Sequence, residues 1–180
     1  MLEDKVLFWR FKNGDKDALR LIYEKYKDDM RTIACSLLHD THTAEDILHD
    51  VFVSFAERVE QIEIRTSLKN YLITCLLNRV RDSFRKEKSR LVDSDHVCSM
   101  SSNSVCPDKL LVDNERTQLL ANALASIPFK QRETIILRLK GEMNFRKIAK
   151  FQNTSISTVQ VRYRCGLKKL RAILNGKAVG

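Results

Sequence analysis

The polar and basic side chains best suited to chemistry in this 180-residue chain lie near its C-terminus, between Asn144 and Leu170. Apolar residues recur at helical spacing on both sides of a short polar break, Gln152-Asn153-Thr154. Asn144 and Ser155 are residue types that cap helix starts, and asparagine tolerates the left-handed conformation that ends a helix. The pattern predicts two helices joined by a tight turn, as in a helix-turn-helix that enters a DNA major groove. An ordinary helical hairpin with a solvated basic face would give the same pattern.

The second of these helices carries side chains that suit two kinds of DNA contact. Arginine can donate two hydrogen bonds to guanine, glutamine can pair with adenine, and valine can contact a thymine methyl group. The residues expected at base edges are Ser157, Gln160, Val161 and Arg164. Those expected to hold phosphates and set the register are Thr158, Arg162 and Lys168.

The net charge of +9 is distributed unevenly along the chain. Residues 1–64 contain 9 Lys and Arg against 14 Asp and Glu, whereas residues 65–90 contain 8 against 2. Residues 91–112 contain 1 against 3, and residues 113–180 contain 14 against 4. Two basic blocks separated by an acidic spacer predict two contacts with nucleic acid. Charge alone would equally suit an RNA or an anionic membrane.

The length allows one or two small domains, and composition favours an all-α protein, because the chain has only five Gly and two Pro. No apolar stretch is long enough to span a bilayer and no secretory signal is present, so we expect a cytoplasmic protein without membrane insertion. The odd number of cysteines and the lack of a CxxC pair indicate free thiols. His96, Cys98 and Cys106 match no standard zinc spacing, and we expect neither a metal nor a cofactor.

The spacing of apolar residues predicts helices through most of the chain. The first should end near Gly14, the second should cover about residues 15–38, and Thr43 should cap the third. The fourth should begin after Ser67 and continue to about Lys88. The predicted core stripes are Ile47, Val51, Phe55 and Val59 on the third helix, and Leu68, Leu72, Leu76, Val80 and Phe84 on the fourth. A serine-rich linker is expected over residues 89–107, followed by helices over about 108–125 and 128–140.

Four segments, taken in order with the helix-turn-helix, resemble a known family. They are GDKDALRLIYEKY (14–26), AEDILHDVF (44–52), NYLITCLLNRVRDSFRK (70–86) and IPFKQRETIILRL (127–139). Over about residues 10–90 and 115–175 the chain resembles sigma factors of the extracytoplasmic-function (ECF) group of the sigma-70 family. The resemblance implies sigma region two at residues 1–90, a flexible linker at 91–112, and sigma region four at 113–180.

The function implied by the resemblance is that of a promoter-specificity subunit, which binds core RNA polymerase and promoter DNA. Region two would bind the largest polymerase subunit through the acidic third helix, because carboxylates are repelled by phosphate and suit a basic protein surface. The residues expected there are Glu45, Asp46, His49 and Asp50. For any single one, an ordinary solvated position is the alternative. An anti-sigma factor is a further partner that the resemblance allows without indicating whether one exists.

Region two would also open the downstream promoter element. Basic side chains of the fourth helix can neutralise phosphates, and by the resemblance Asn78 and the loop before it would hold an unstacked base. The residues expected at this element are Lys69, Tyr71, Asn78, Arg79, Arg81 and Arg85. For Asn78, an amide on a solvated helix surface is the alternative reading.

The chain departs from the family pattern at several positions. His49 and Asp50 replace the usual Gln and Glu, Tyr71 replaces a Trp, and Asn153 replaces the Gly of the turn. A promoter sequence therefore cannot be transferred from a relative.

Two other function classes compete with the sigma-factor interpretation. A free-standing helix-turn-helix regulator would need only the C-terminal motif, and would not require both an acidic and a basic helix within residues 44–90. An enzyme is least favoured, because no P-loop, HExxH or Ser/His/Asp arrangement occurs, and we assign no catalytic residue.

Overall fold

The computed structural model describes residues 2–38, 40–64, 67–92 and 114–176, and in these residues all regular structure is helical. The helices are α1 (Leu2–Lys12), α2 (Lys16–Leu38), α3 (Thr41–Glu57), α4 (Leu68–Val92), α5 (Asn114–Ala125), α6 (Phe129–Leu139), α7 (Phe145–Gln152) and α8 (Ile156–Leu174), with a 3-10 helix at Val59–Gln61. The predicted all-α fold is confirmed.

The chain divides into two compact units. The first comprises Met1–Ala34 and His42–Ser101, and the second comprises Cys35–Thr41 and Ser102–Gly180. Most of the predicted linker, together with His96, Cys98 and Cys106, lies outside the described residues. The proposed domain limits therefore stay a prediction.

The core of the first unit is built from apolar stripes at helical spacing. On α4, Leu68, Leu72, Leu76 and Val80 are fully buried or nearly so, as predicted, and Phe84 is half-buried. Helix α3 contributes a buried face with alanine, aliphatic and phenylalanine side chains: Ala44, Ile47, Leu48, Val51, Phe52 and Phe55. Burying each large apolar side chain contributes about 1.5–3 kcal/mol before the entropy of ordering it is subtracted.

Aromatic and polar contacts attach α1 to the rest of the first unit. The rings of Phe8 and Phe11 lie 6.2 and 5.5 Å from the ring of Phe55 on α3. The Tyr26 hydroxyl donates a 2.7 Å hydrogen bond to Asp4, whose carboxylate also lies 2.9 Å from Lys25 Nζ. Partial burial raises the pKa of the Asp4 carboxyl. The hydrogen bonds from Tyr26 and Lys25 and the positive charge of Lys25 together lower it by more, so the net pKa is below its usual value.

In the second unit α8 packs against α5, α6 and α7, and α6 also packs against α7. Six consecutive residues of α6, from Arg132 to Leu137, are buried, so polar side chains are enclosed along with Ile135, Ile136 and Leu137. Buried polar groups require hydrogen-bond partners, and Glu133 and Thr134 each accept one hydrogen bond from Gln152 on α7.

Three sequence expectations need correction. Helix α3 begins at Thr41, so Thr43 lies inside its first turn rather than at its cap; nothing such as Gly or Pro stops the helix from starting earlier. Val59 is half-exposed, because the chain tightens into the 3-10 helix after Arg58 and leaves the spacing of the α3 stripe. Helix α4 continues to Val92, into the predicted linker, since neither Gly nor Pro occurs after Leu68 until Pro107.

A glycine allows α8 to approach α6 closely. A Cβ atom at Gly166 would lie 2.7 Å from Ile135 Cδ1 and 3.2 Å from Gln131 Cβ, both on α6. We predict that Gly166→Ala destabilises the protein by up to about 2 kcal/mol, since an overpacking cost of about 1–3 kcal/mol outweighs the gain of about 1 kcal/mol in helix propensity. Chemical denaturation of the purified protein measures this change.

The variant Ile135→Val is the matched control for this prediction, because it removes the Cδ1 atom that the new methyl group would meet. The cost of Gly166→Ala should be smaller when Ile135→Val is already present, as expected for residues in direct contact. An equal cost in both backgrounds would show that the close approach of α8 to α6 is not what selects glycine.

Candidate nucleic-acid interface

The predicted caps of the helix-turn-helix are present in the second unit. Asn144 Oδ1 accepts a 2.9 Å hydrogen bond from the backbone N–H of Lys147 at the start of α7. Asn153 ends α7 in the left-handed conformation, with φ 49° and ψ 56°. Ser155 Oγ accepts a 3.1 Å hydrogen bond from the backbone N–H of Thr158 at the start of α8. These confirmed caps fix where each helix of the motif begins and ends.

One side of α8 packs against α6 and α7. Val159 and Gly166 are buried on this side, and the Tyr163 ring makes an edge-to-face contact with the Phe145 ring of α7 at 5.4 Å. Tyr163, Leu167 and Leu170, which recur with Val159 at the helical spacing that predicts a buried stripe, are half-buried. The position of the apolar stripe is therefore confirmed.

The opposite side of α8 is exposed and gathers five of the seven residues predicted to contact the upstream DNA. They are Ser157, Gln160, Val161, Arg164 and Lys168. At about 100° per residue all five fall within a sector of about 100°. This recognition face carries hydrogen-bond donors and acceptors, an apolar side chain that is 49% exposed at Val161, and two positive charges.

The remaining two predicted residues, Thr158 and Arg162, lie away from the recognition face and bond within the unit. The Thr158 hydroxyl lies 2.8 Å from Ser155 Oγ, and Thr158 is half-buried. Arg162 Nη1 donates a 2.7 Å hydrogen bond to Gln152 Oε1 at the end of α7. Both side chains therefore contribute to the internal structure of the motif.

A buried hydrogen-bonded chain continues from Arg162 into α6. Gln152 Nε2 donates to Glu133 Oε2 at 2.8 Å and to Thr134 Oγ1 at 3.0 Å. Glu133 is fully buried, and Lys130 Nζ lies 3.8 Å from its carboxylate. The buried guanidinium of Arg132 lies 5.8 Å from the Phe129 ring, and burial lowers the pKa of Arg132 to about 10, so it stays protonated at neutral pH.

In the first unit, the four residues predicted to bind the polymerase share the exposed face of α3. Glu45, Asp46, His49 and Asp50 are all exposed, opposite the buried apolar face of the same helix. Further exposed residues on this face include Val53, which is 41% exposed, and Glu57. We call these six residues the acidic face. Sequence spacing could have found Val53, since it lies four residues after His49.

The residues predicted to contact the downstream DNA are divided by the structure. Asn78, Arg79 and Arg85 are exposed on α4, where Arg79 Nη2 donates to Ser54 Oγ on α3 at 3.1 Å and Arg85 Nη2 lies 3.5 Å from Asp82. Arg81 is half-buried. The exposed members provide positive charge around the Asn78 amide.

Lys69 and Tyr71 make contacts with other residues of the first unit. Lys69 Nζ lies 3.0 Å from Asp29 Oδ2 on α2, and on the α4 helix Lys69 is turned about 180° from Asn78. The half-buried Tyr71 ring lies 6.2 Å from the Phe55 ring, and burial raises the pKa of Tyr71 to about 12. These two side chains therefore attach α4, which carries the exposed residues Asn78, Arg79 and Arg85, to α2 and α3.

Four further exposed side chains on α7 and α8 were not among the predicted DNA contacts. Arg146 and Lys150 lie four residues apart on α7, and Ile156 and Arg171 lie at the start and near the end of α8. Basic residues on the first helix of a helix-turn-helix are a usable signal, because that helix crosses the DNA backbone.

The described residues show neither a membrane-spanning helix nor a metal-binding cluster. None of the helices there combines the length and apolar character needed to cross a membrane. The described ranges contain no cluster of three or more His, Cys, Asp or Glu side chains able to hold a metal ion.

The fold and these surfaces define an all-α DNA-binding protein with a helix-turn-helix. Residues 22–90 match the family model of sigma-70 region 2. The chain is 25% identical to the ECF RNA polymerase sigma factor SigW of Bacillus subtilis over 169 residues, which cover 89% of this chain and 90% of SigW. It is 27% identical to the ECF RNA polymerase sigma factor SigX of the same organism over 162 residues, covering 87% and 83% of the two chains.

Two solved structures share the fold. The sigma factor RpoE, in complex with the anti-sigma factor NepR from Bartonella quintana, matches with a TM-score of 0.70 and 23% identity, covering 87% of this chain and 96% of RpoE. CnrH, in complex with the cytosolic domain of CnrY, matches with a TM-score of 0.66 and 18% identity, covering 97% and 99%. These two structures show the shared fold, and the region 2 match together with the sequence relatives supports an ECF sigma-70 factor. The comparisons support a sigma factor and do not support the alternative of a free-standing regulator.

The left-handed residue of the turn gives a test of the motif. We predict that Asn153→Ala destabilises the protein by about 1 kcal/mol, because a Cβ-bearing residue without a local hydrogen-bonding side chain is unfavourable at positive φ. Asn153→Gly should be within about 0.5 kcal/mol of the natural protein. Denaturant midpoints measure both changes.

Asn175 is the matched control, since it follows α8 with φ −87°, outside the left-handed region. Asn175→Ala should change stability by no more than about 0.5 kcal/mol. If alanine costs the same at positions 153 and 175, the conformation of the turn is not the reason for asparagine at 153.

Proposed function

We propose that this sigma factor binds core RNA polymerase through the acidic face of α3, holds the upstream promoter element with α8, and opens the downstream element with α4. The recognition face carries this proposal: one exposed side of a capped α8 gathers Ser157, Gln160, Val161, Arg164 and Lys168. In the upstream element Ser157, Gln160, Val161 and Arg164 contact base edges, and Lys168 contacts a phosphate.

The acidic face suits a protein partner better than DNA. Its carboxylates at Glu45, Asp46, Asp50 and Glu57 repel phosphate, and they complement a basic protein surface. Val53 lies among them with an exposed apolar side chain. Because the centre of a protein interface is more apolar than its rim, Val53 is the proposed centre of the contact with the polymerase.

The exposed part of α4 suits a separated DNA strand. Arg79, Arg81 and Arg85 provide positive charge for the backbone, and Asn78 provides an amide that can bond to the edge of an unstacked base. Lys69 and Tyr71 have a supporting role: the Lys69–Asp29 ion pair and the packing of Tyr71 on Phe55 hold α4 in place.

An anti-sigma factor is a proposed further partner. The solved structure of RpoE is a complex with the anti-sigma factor NepR, and the structure of CnrH is a complex with the cytosolic domain of CnrY. The proposed place of action is the cytoplasm, where the chain would meet polymerase and DNA. As a sigma factor the chain is a DNA-binding specificity subunit, and no catalytic residue, metal or cofactor is assigned to it.

The polymerase contact is tested by charge reversal. We predict that Asp46→Lys weakens binding to core RNA polymerase by about tenfold at low salt, since a lysine meets a basic surface there, and that added salt reduces the effect. Titration of core polymerase with fluorescently labelled protein measures the affinity, and transcription from a cognate promoter should fall in parallel.

Glu60→Lys is the matched control, because Glu60 is an exposed carboxylate on the 3-10 helix outside the acidic face. This variant should bind the polymerase as the natural protein does. Equal weakening by both variants would point to net charge rather than to the acidic face. A natural protein that binds duplex promoter DNA but not core polymerase would refute the proposal as a whole.

Strand opening is tested at Asn78. We predict that Asn78→Ala lowers permanganate reactivity of downstream thymines several-fold at equal closed-complex occupancy, because extruding a base costs a few kcal/mol that edge hydrogen bonds offset. Lys86→Ala, which removes an exposed charge from α4, should instead weaken closed-complex binding. Natural levels of reactivity in the Asn78 variant would place the base elsewhere.

A further inference from the structure

Arg162 lies on the wrong side of α8 for a DNA contact. It follows Ser157 by five residues and is therefore turned by about 140° from it around the helix axis. Of its helical neighbours at spacings of three and four, Val159 and Gly166 are buried, Thr158 is half-buried and Cys165 is exposed, so Arg162 borders the side of α8 that packs against α6 and α7. Arginine was expected at a phosphate, but this position points it toward the motif's own interior.

Arg162 donates its hydrogen bond to the buried side-chain amide of Gln152. Hydrogen bonds at both the nitrogen and the oxygen of this amide determine its orientation. Gln152 is 8% exposed, its Nε2 donates to Glu133 Oε2 and Thr134 Oγ1, and its Oε1 accepts from Arg162 Nη1. Reversing the amide would place its NH2 group against a guanidinium donor and its oxygen against a carboxylate. Gln152 Nε2 also lies 3.5 Å from the Lys130 carbonyl oxygen, and only the observed orientation of the amide satisfies all of these partners. The amide thereby links α7 to both α6 and α8.

Electrostatics makes this arrangement costly to leave. The Glu133 carboxylate is fully buried, and a buried charge requires hydrogen bonds and opposite charge nearby. The Gln152 amide, polarised by Arg162 at its other end, provides one of those hydrogen bonds. Moving the Arg162 guanidinium out to a phosphate would remove the partner of the Gln152 oxygen.

We propose that Arg162 is a positioning residue: the chain Glu133–Gln152–Arg162 fixes the rotation of α8, so that the recognition face meets the bases. This proposal rests on the proposed function of α8 at the upstream promoter element, and it replaces the expectation of a phosphate contact by Arg162.

The test compares two variants that each remove one positive charge from α8, Arg162→Met and Lys168→Met. Holoenzyme is reconstituted from core RNA polymerase and the full chain. Binding to a cognate promoter is measured with each single-base change in the upstream element and at several salt concentrations. Arg162→Met should reduce base discrimination about fivefold at two or more positions and leave the salt slope unchanged. Lys168→Met should leave base discrimination unchanged and lower the magnitude of the salt slope by about 0.9.

Gln152→Met provides an independent arm, because the buried Gln152 cannot reach DNA and the variant keeps the charge of Arg162. It should reproduce the altered base preference of Arg162→Met, and the double variant should show no further change. If Arg162→Met behaves as Lys168→Met does, or if a folded Gln152→Met keeps the natural base preference, the proposal is wrong. Circular dichroism establishes folding, and should Gln152→Met fail to fold, the comparison of Arg162→Met with Lys168→Met decides alone.

Failure of the proposed function gives a different result. In that case natural holoenzyme itself shows no base preference at the upstream element, whatever the variants do.

Discussion

The rotation of α8 about its own axis determines which side chains the second unit presents to DNA. Three inward contacts set that rotation: Gly166 against Ile135, Tyr163 against Phe145 at 5.4 Å, and Arg162 bonded to Gln152 at 2.7 Å. A slip of one residue would turn the helix by about 100° and replace the recognition face with a different set of side chains. Asn153 and Ser155, at the two ends of the turn, then fix where α8 begins.

In the first unit, too, the buried side of each helix determines which side chains are exposed, and here the exposed side chains are mainly charged. Buried stripes of α3 and α4 leave carboxylates exposed on one helix and the Asn78 amide with arginines exposed on the other. The cluster of aromatic rings around Phe55 connects α1, α3 and α4, and the Arg79–Ser54 hydrogen bond adds a second link between α3 and α4. A surface that attracts protein and a surface that attracts DNA can therefore be carried by adjacent helices of one small core.

Sequence reasoning succeeded where short-range physics decides the structure. The caps at Asn144 and Ser155 and the left-handed Asn153 depend on residues at most three positions apart, and apolar spacing located the buried faces of α3, α4 and α8. It could not locate contact partners that are distant in sequence. Nothing near Lys69 indicates that Asp29, forty residues earlier, would hold its ammonium group. The inward position of Arg162 was readable from its spacing of three from Val159, but the usual exposure of arginine outweighed that signal.

The proposal that α8 contacts the upstream element while α4 opens the downstream element is tested most directly through Cys165, which is exposed on α8 next to Arg164. An iron–EDTA group attached there, with the other four cysteines replaced by serine, would cleave DNA close to α8 in holoenzyme bound to a cognate promoter. The account predicts cleavage confined to the upstream element, while permanganate detects opened bases only downstream. Cleavage at the opened downstream bases, or none with fully bound promoter, would contradict it.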